Sequence, residues 1–294
     1  MDRDLQSIQE VRCLVGKAKE AEKILSQYSQ KELDKICQAI CHACVKNGER
    51  LAKMAVEETG FGRWQDKVLK NKLDAHGLGV VEINPENCAY PTNLASGNPV
   101  TRLRTFRYYE NAIRTAGVIG SPYVLVFPGY ANLDGSQEEA WKLSVDSMGR
   151  LAEIAETEGV TITFEATTRN ITVITDHREV MRLIGDCGCK NMAVTIDLMC
   201  LSQTGETVQD VYDICGPEKV VNVHYTDGGL LPSGAWEHRI PGEGDLDLDS
   251  MLQMFDDNNY RGYFGNEVKW RIDPALTAPE QICKKLQKWW DLHF

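Results

Sequence analysis

The stretch VTITFEATTRNITVITDHREVMRLIGDCGCKNMAVTIDLMCLSQTGETVQDVYDICGPEKVVNVHYTD, residues 160–227, decides the fold class. Three short runs rich in Val, Ile, Thr and Phe (VTITFEA, MAVTIDL and VVNVHYTD) are separated by segments with helical spacing near 176–186 and 206–215. Strand and helix alternating at this length indicate a parallel sheet with right-handed crossovers. Each run ends in a residue that can bind a metal: Glu165, Asp197 and His224. A fourth run, YFGNEV, supplies Glu267 in the same place. A parallel α/β barrel presents its chemistry at one rim in this way. Three carboxylates and one imidazole suit Mn²⁺, Mg²⁺ or Co²⁺ better than a thiolate-bound structural zinc. Any one polar residue at a strand end is unremarkable, but four in succession read as a site.

Working outward, the alternation begins at Gly79 with GVVEIN, a helix near 101–116, YVLVFPG and a long helix near 136–158. It closes with a helix near 246–258, YFGNEV and a last helix from Pro279. This makes six strands. A closed barrel of this class needs eight. Before the first strand, residues 7–26 and 30–59 read as two amphipathic helices, with Ser29 capping the second and Gly60 stopping it, and a third runs from Trp64 to about Ala75. The expected fold is α/β, an incomplete (β/α) TIM-type barrel of about six parallel strands behind an α-helical N-terminal segment, with an open sheet as the alternative. No internal repeat or low-complexity run is visible.

Composition narrows the function. The 294 residues, 43% of them hydrophobic, can bury a sizeable core. A net charge of −11 argues against a phosphate-backbone partner, which needs a basic surface. The charge is uneven, +3 over residues 1–73 and −14 over residues 74–294, which hints at two origins. The ten cysteines come with no secretory signal and no membrane-spanning apolar stretch, so they are expected to be reduced thiols of a cytoplasmic protein. Cys37, Cys41 and Cys44 have the C-x₃-C-x₂-C spacing of an iron–sulfur ligand set, but the same spacing is the apolar stripe of a helix, continued by Leu33, Ile36 and Ile40. Cys187 and Cys189 in GDCGCK lack a partner pair at zinc-site spacing.

Several motifs, in order, carry a resemblance: NPENCAYPTN, FPGY, FEATT, TIDLMC, NVHYTDG, HRIPGEGDLDL and GYFGNEV. From about residue 74 to 294 the chain resembles the xylose isomerase-like TIM-barrel sugar isomerases and epimerases, in particular ketose 3-epimerases and fructoselysine 3-epimerases. The segment ending LAKMAVEETGFGRWQDKVLKNKL is similar to the N-terminal helices of CoA-acylating aldehyde dehydrogenases. Residues 1–73 would then replace the first two βα units of a barrel domain spanning 74–294. No dinucleotide-binding glycine loop accompanies them, since Gly60-Phe-Gly62 runs into Arg63 and Trp64.

The resemblance implies a metal-dependent isomerase or epimerase of a sugar or sugar derivative, a small-molecule partner, possible homo-oligomers, and neither nucleic acid nor membrane. Glu165 and Glu267 would move protons through an enediolate while also binding metal, with Mn²⁺ first among the ions, and Asp197 and His224 would complete the coordination. His238 and Arg239, just before the Pro241-Gly242 pair, would bind substrate oxygens. Asp227, three residues after His224, would orient the imidazole or serve as a turn residue. Glu243 and Asp245 would shape the loop and cap the next helix. Two positions depart from the epimerase pattern: Ile171 stands where many members have a second Glu, and Cys200 where they have a His. A catalytically impaired chimeric remnant is therefore the alternative. An endonuclease of the same superfamily fits poorly, because it needs many His and this acidic chain has six, and an aldehyde dehydrogenase is represented by a helical fragment alone.

Overall fold

The computed structural model describes residues 3–59, 63–85, 91–132, 135–167, 172–267 and 279–293. The chain divides into two compact units, Met1–Leu78 and Gly79–Phe294.

The first unit is helical: α1 (Arg3–Leu25), α2 (Gln30–Lys46), α3 (Gly48–Thr59) and α4 (Trp64–Ala75). Glu32 accepts from the Ser29 backbone N–H at 2.9 Å and from its hydroxyl at 2.7 Å, which fixes the start of α2. The single helix expected over 30–59 is broken at Asn47-Gly48. Asn47 donates its side-chain amide back to the Ala43 carbonyl at 2.8 Å, and a glycine follows, so the backbone is offered a stop that apolar periodicity does not show. Cys37, Cys41 and Cys44 all fall within α2, on continuous helix and not in a ligand loop. Gly60 lies outside the described residues.

The second unit alternates as expected: β1 (Glu82–Ile83), α5 (Pro99–Ile119), β2 (Tyr123–Leu125), α6 (Gln137–Thr157), β3 (Thr161–Phe164), α7 (His177–Cys187) and β4 (Met192–Asp197). It continues with α8 (Leu198–Thr204), α9 (Val208–Cys215), β5 (Val220–Tyr225), β6 (Asp227–Leu230), β7 (Trp236–Arg239), α10 (Leu248–Asp257), β8 (Tyr263–Asn266) and α11 (Pro279–His293). Six strands form one parallel sheet in the order β1-β2-β3-β4-β5-β8. Among the described residues β1 and β8 do not pair with each other, so the sheet curls as an incomplete barrel with two edges. No described helix is long and apolar enough to cross a membrane.

Local chemistry sets the boundaries. Asn98 accepts from Val100 and Thr101 at the start of α5 with Pro99 in its first turn, Asp176 accepts from Glu179 at α7, and Thr207 and Asp210 form a capping box at α9. The antiparallel β6–β7 ribbon was not anticipated. Leu231-Pro232-Ser233-Gly234 turns it back, with Gly234 at φ 81° and its N–H on the Leu231 carbonyl. The strands of the parallel sheet alternate: Ile162, Phe164, Val194, Ile196, Val223 and Tyr225 are buried, essentially completely, in the hydrophobic core. The intervening Thr163, Glu165, Thr195, Asp197, Asn222 and His224 therefore share the inner face.

Two loops are clamped together at the rim. Asn93, from the YPTN segment, donates to the Tyr130 carbonyl at 2.8 Å and accepts from the Tyr130 and Ala95 N–H groups at 3.1 and 2.9 Å. Gly129 allows this approach. Its φ is +116°, and a Cβ there would lie 2.6 Å from Ala95 N.

Candidate metal centre

Successive strands bring the four expected ligands together. Asp197 and His224 are register partners across β4 and β5, and His224 pairs in turn with Gly265 of β8, two residues before Glu267. Glu165 follows the last residue of β3. One donor atom from each of Glu165, Asp197, His224 and Glu267 lies within 4.8 Å of all the others. Among the described residues no other group of three or more His, Cys, Asp or Glu closes to such spacing. Asp197 and His224 are buried, while Glu165 and Glu267 are partly exposed.

The imidazole is the hub. His224 Nδ1 lies 3.1 Å from Glu165 Oε2 and 2.8 Å from Glu267 Oε2. A ring nitrogen carries at most one hydrogen, and it can serve only one of these oxygens well. Glu267 Oε2 is accordingly buried without a hydrogen bond of good geometry. Burial disfavours charge on His224, but the surrounding Glu165, Glu267 and Glu82 carboxylates outweigh it and hold the imidazole pKa well above its ordinary value. Burial raises the Glu165 pKa, with Asp197 and Glu267 adding to the effect and His224 opposing it. At Asp197 burial also pushes upward, yet the His238 and His224 imidazoles prevail and the carboxyl titrates below its usual range. One nitrogen and three carboxylates facing a common point, with an orphaned oxygen among them, are a donor set that fits a divalent cation.

The neighbours divide differently from expectation. His238 is buried with Nε2 3.0 Å from Asp197 Oδ2 and 3.8 Å from Glu267 Oε1, so it faces the cluster. Arg239 does not. Adjacent residues of a strand point to opposite faces, and its guanidinium lies over Gly229 and 3.4 Å from Glu237. Asp227 does not orient His224 either: its carboxylate accepts from the backbone N–H groups of Gly228, Gly242, Gly244 and Leu246 at 2.8–3.1 Å, organising the PGEGDL loop. Asp247, not Asp245, caps α10, Asp245 accepts from Leu230 N, and Glu243 pairs with Lys285. Cys200 Sγ lies 3.4 Å from Glu165 Oε1, and burial, with Asp197 and Glu165 adding to it, raises its thiol pKa far above normal. Ile171 lies outside the described residues.

Sequence reasoning missed Glu82. From β1 it reaches across the inner face to place Oε2 2.8 Å from His224 Nε2. The available signal was a lone carboxylate inside the apolar run GVVEIN.

A family profile described as xylose isomerase-like TIM barrel matches residues 40–292. The chain belongs to the xylose isomerase-like TIM-barrel family. Among curated proteins, the fructoselysine 3-epimerase of Shigella flexneri is 23% identical over 220 residues, covering 74% of this chain and 78% of that protein. A crystal structure of the IOLI protein with a bound zinc atom superposes with a TM-score of 0.64 at 20% identity, covering 77% of this chain and 81% of that one. A short segment carries a separate likeness: the acylating sulfoacetaldehyde dehydrogenase of Bilophila wadsworthia is 38% identical over 81 residues, 24% of this chain and 18% of that enzyme.

Proposed function

We propose that this chain is a divalent-metal-dependent epimerase or isomerase of a sugar or sugar derivative, with Glu165 and Glu267 as the proton-transfer pair. The observation that carries the reading is the convergence of both carboxylates on His224 Nδ1, at 3.1 and 2.8 Å, from strands at different positions in the sheet. The relatives support it, since one is named for epimerising fructoselysine at carbon 3 and another holds zinc.

Glu165, Asp197, His224 and Glu267 would hold the ion, which when bound supplies Lewis-acid polarisation of the substrate carbonyl; Mn²⁺ is our first choice, with Mg²⁺ or Co²⁺ as alternatives. One carboxylate takes the proton from the carbon beside the carbonyl. The other returns a proton to the opposite face, which inverts that centre. His238 orients Asp197 and lies close enough to Glu267 to meet a substrate oxygen.

A second reading, a cation-binding remnant with little turnover on free ketoses, is favoured by Cys200, whose sulfur occupies the space beside Glu165. We further propose that residues 1–73 are a dehydrogenase-like helical segment joined to a barrel domain, 74–294, that lacks two βα units. The break between compact units at Leu78/Gly79 and the short dehydrogenase likeness support this division.

The test is solvent deuterium incorporation into a panel of ketoses and ketosamines by Mn²⁺-loaded protein. Glu165→Gln and Glu267→Gln should each lower exchange about 10²-fold or more. Exchange as fast as the parent in either variant would sink the two-carboxylate scheme, whereas no exchange by the parent on any substrate would favour the remnant.

A further inference from the structure

We infer that Glu82 is a positioning residue of the cation site, fixing His224 in the form that carries hydrogen on Nε2 and turns Nδ1 to the ligand cluster. The inference rests on the metal-centre reading above.

The geometry begins with the carboxylate. The Glu82 side chain is only 5% exposed, although it sits in a two-residue strand at the edge of the sheet. Its Oε1 accepts from the hydroxyls of Thr163 at 2.6 Å and Thr195 at 2.8 Å. Its Oε2 faces the Asn222 amide at 3.1 Å and His224 Nε2 at 2.8 Å. Four partners from β3, β4 and β5 thus hold one carboxylate inside the curl. Burying a carboxylate is costly unless its oxygens are served, and here all the donors are provided.

Position ties this anchor to the site. Thr163, Thr195 and Asn222 stand two residues before Glu165, Asp197 and His224, so they form a layer on the same face directly beneath the ligands. Glu82 is locked into that lower layer and touches the upper one at His224 alone among the four ligands. It is no fifth ligand, because the imidazole ring separates its oxygen from the Nδ1 side where Glu165 and Glu267 gather. A carboxylate on the far nitrogen of a ligating histidine selects the tautomer, fixes the ring plane and raises the basicity of the near nitrogen. Asp227, the sequence neighbour that might have done this, is engaged by four backbone amides elsewhere.

The experiment uses the full chain with Zn²⁺ as a diamagnetic probe, reading affinity by competition with a chromophoric chelator and His224 by long-range ¹H–¹⁵N correlation. In the loaded parent, His224 should show a hydrogen on Nε2, shifted far downfield by its carboxylate partner, and none on Nδ1. Glu82→Gln should lower Zn²⁺ affinity about 10- to 100-fold and move that resonance upfield. Thr195→Val, which removes one anchor of Glu82 without touching His224, should give a smaller loss with the resonance retained. Coordination through Nε2 in the parent, or unchanged affinity in Glu82→Gln, overturns the inference while leaving the metal centre standing. If Glu82→Gln does not fold, unchanged affinity in both Thr195→Val and Thr163→Val overturns it. A parent that binds no Zn²⁺ removes the metal-centre reading and this inference together.

Discussion

Asp197 Oδ2 lies 3.0 Å from His238 Nε2, joining the last residue of β4 to the antiparallel ribbon that follows β5. The other Asp197 oxygen accepts from Cys200 N at 2.7 Å, so both oxygens are directed by neighbours. Removing the imidazole frees the carboxylate to turn away from the cluster. His238→Ala should therefore weaken Mn²⁺ binding about 10-fold or more. Arg239→Ala, on the opposite face of the same strand, should leave binding unchanged. Titration calorimetry on both variants checks the contrast, and equal losses would contradict it.

Cation affinity should climb with pH through neutrality. Although burial opposes it, the carboxylates around His224 hold its pKa well above the ordinary value, and burial raises that of Glu165. A raised imidazole pKa means that a proton competes for Nδ1 up to a higher pH than usual, so affinity is lost as pH falls and gained as it rises toward that pKa. Calorimetry between about pH 6 and 8 in buffers of different ionisation enthalpy should show proton release on binding. PH-independent affinity without proton release would count against this ligand set.

Asp227 should prove a stability residue. An Asn there keeps one acceptor oxygen and turns an NH₂ group toward amides that can only donate. Asp227→Asn should cost about 2–3 kcal/mol in urea unfolding.

Gly129→Ala should destabilise the chain by about 2 kcal/mol or more, because it combines a disfavoured backbone conformation with a clash against the backbone of the neighbouring loop. Thermal unfolding is the measurement. A neutral substitution would mean that the Asn93 clamp is looser than its hydrogen bonds indicate.

The cysteines should fall into two reactivity classes. Cys13, Cys37, Cys44 and Cys283 are exposed and should alkylate quickly. Cys215 is buried, and burial together with Glu206 and Glu218 pushes its thiol pKa up to about 12, while Cys200 is buried beside two carboxylates. Both should resist alkylation until the protein unfolds. Peptide mass spectrometry after timed labelling distinguishes the classes.

What could be read from sequence followed physical period. In VTITFE, Ile162 and Phe164 had to face the helices, which left Thr163 and Glu165 on one inner face, and the same rule exposed Asp197 and His224. The rule applied to Trp236–Arg239 would have separated His238 from Arg239, had that segment shown itself as a strand. Of the two roles open to Asp227 the structure favours the loop, because nearness in sequence is not nearness in space: three residues of extended chain span about 10 Å and reverse the face. Glu82 left little local trace. Its meaning depends on His224, 142 residues away, and one charged residue in a short apolar run has no period to betray it.

The strands that present the four proposed ligands, β3, β4, β5 and β8, are consecutive neighbours, and among the described residues the last is a sheet edge. β8 has a single ladder, to β5, and its residues are half or fully exposed. Among the described residues Glu267 is thus carried just beyond an edge strand, which opens at lower cost than one paired on both sides. Were β8 to peel back, Glu267 would leave, while Glu165, Asp197 and His224 would remain on or beside strands paired at both sides. The residence time of an ion held there should then follow the fraying of one edge and not global unfolding, and a full binding shell would report whether that edge is closed.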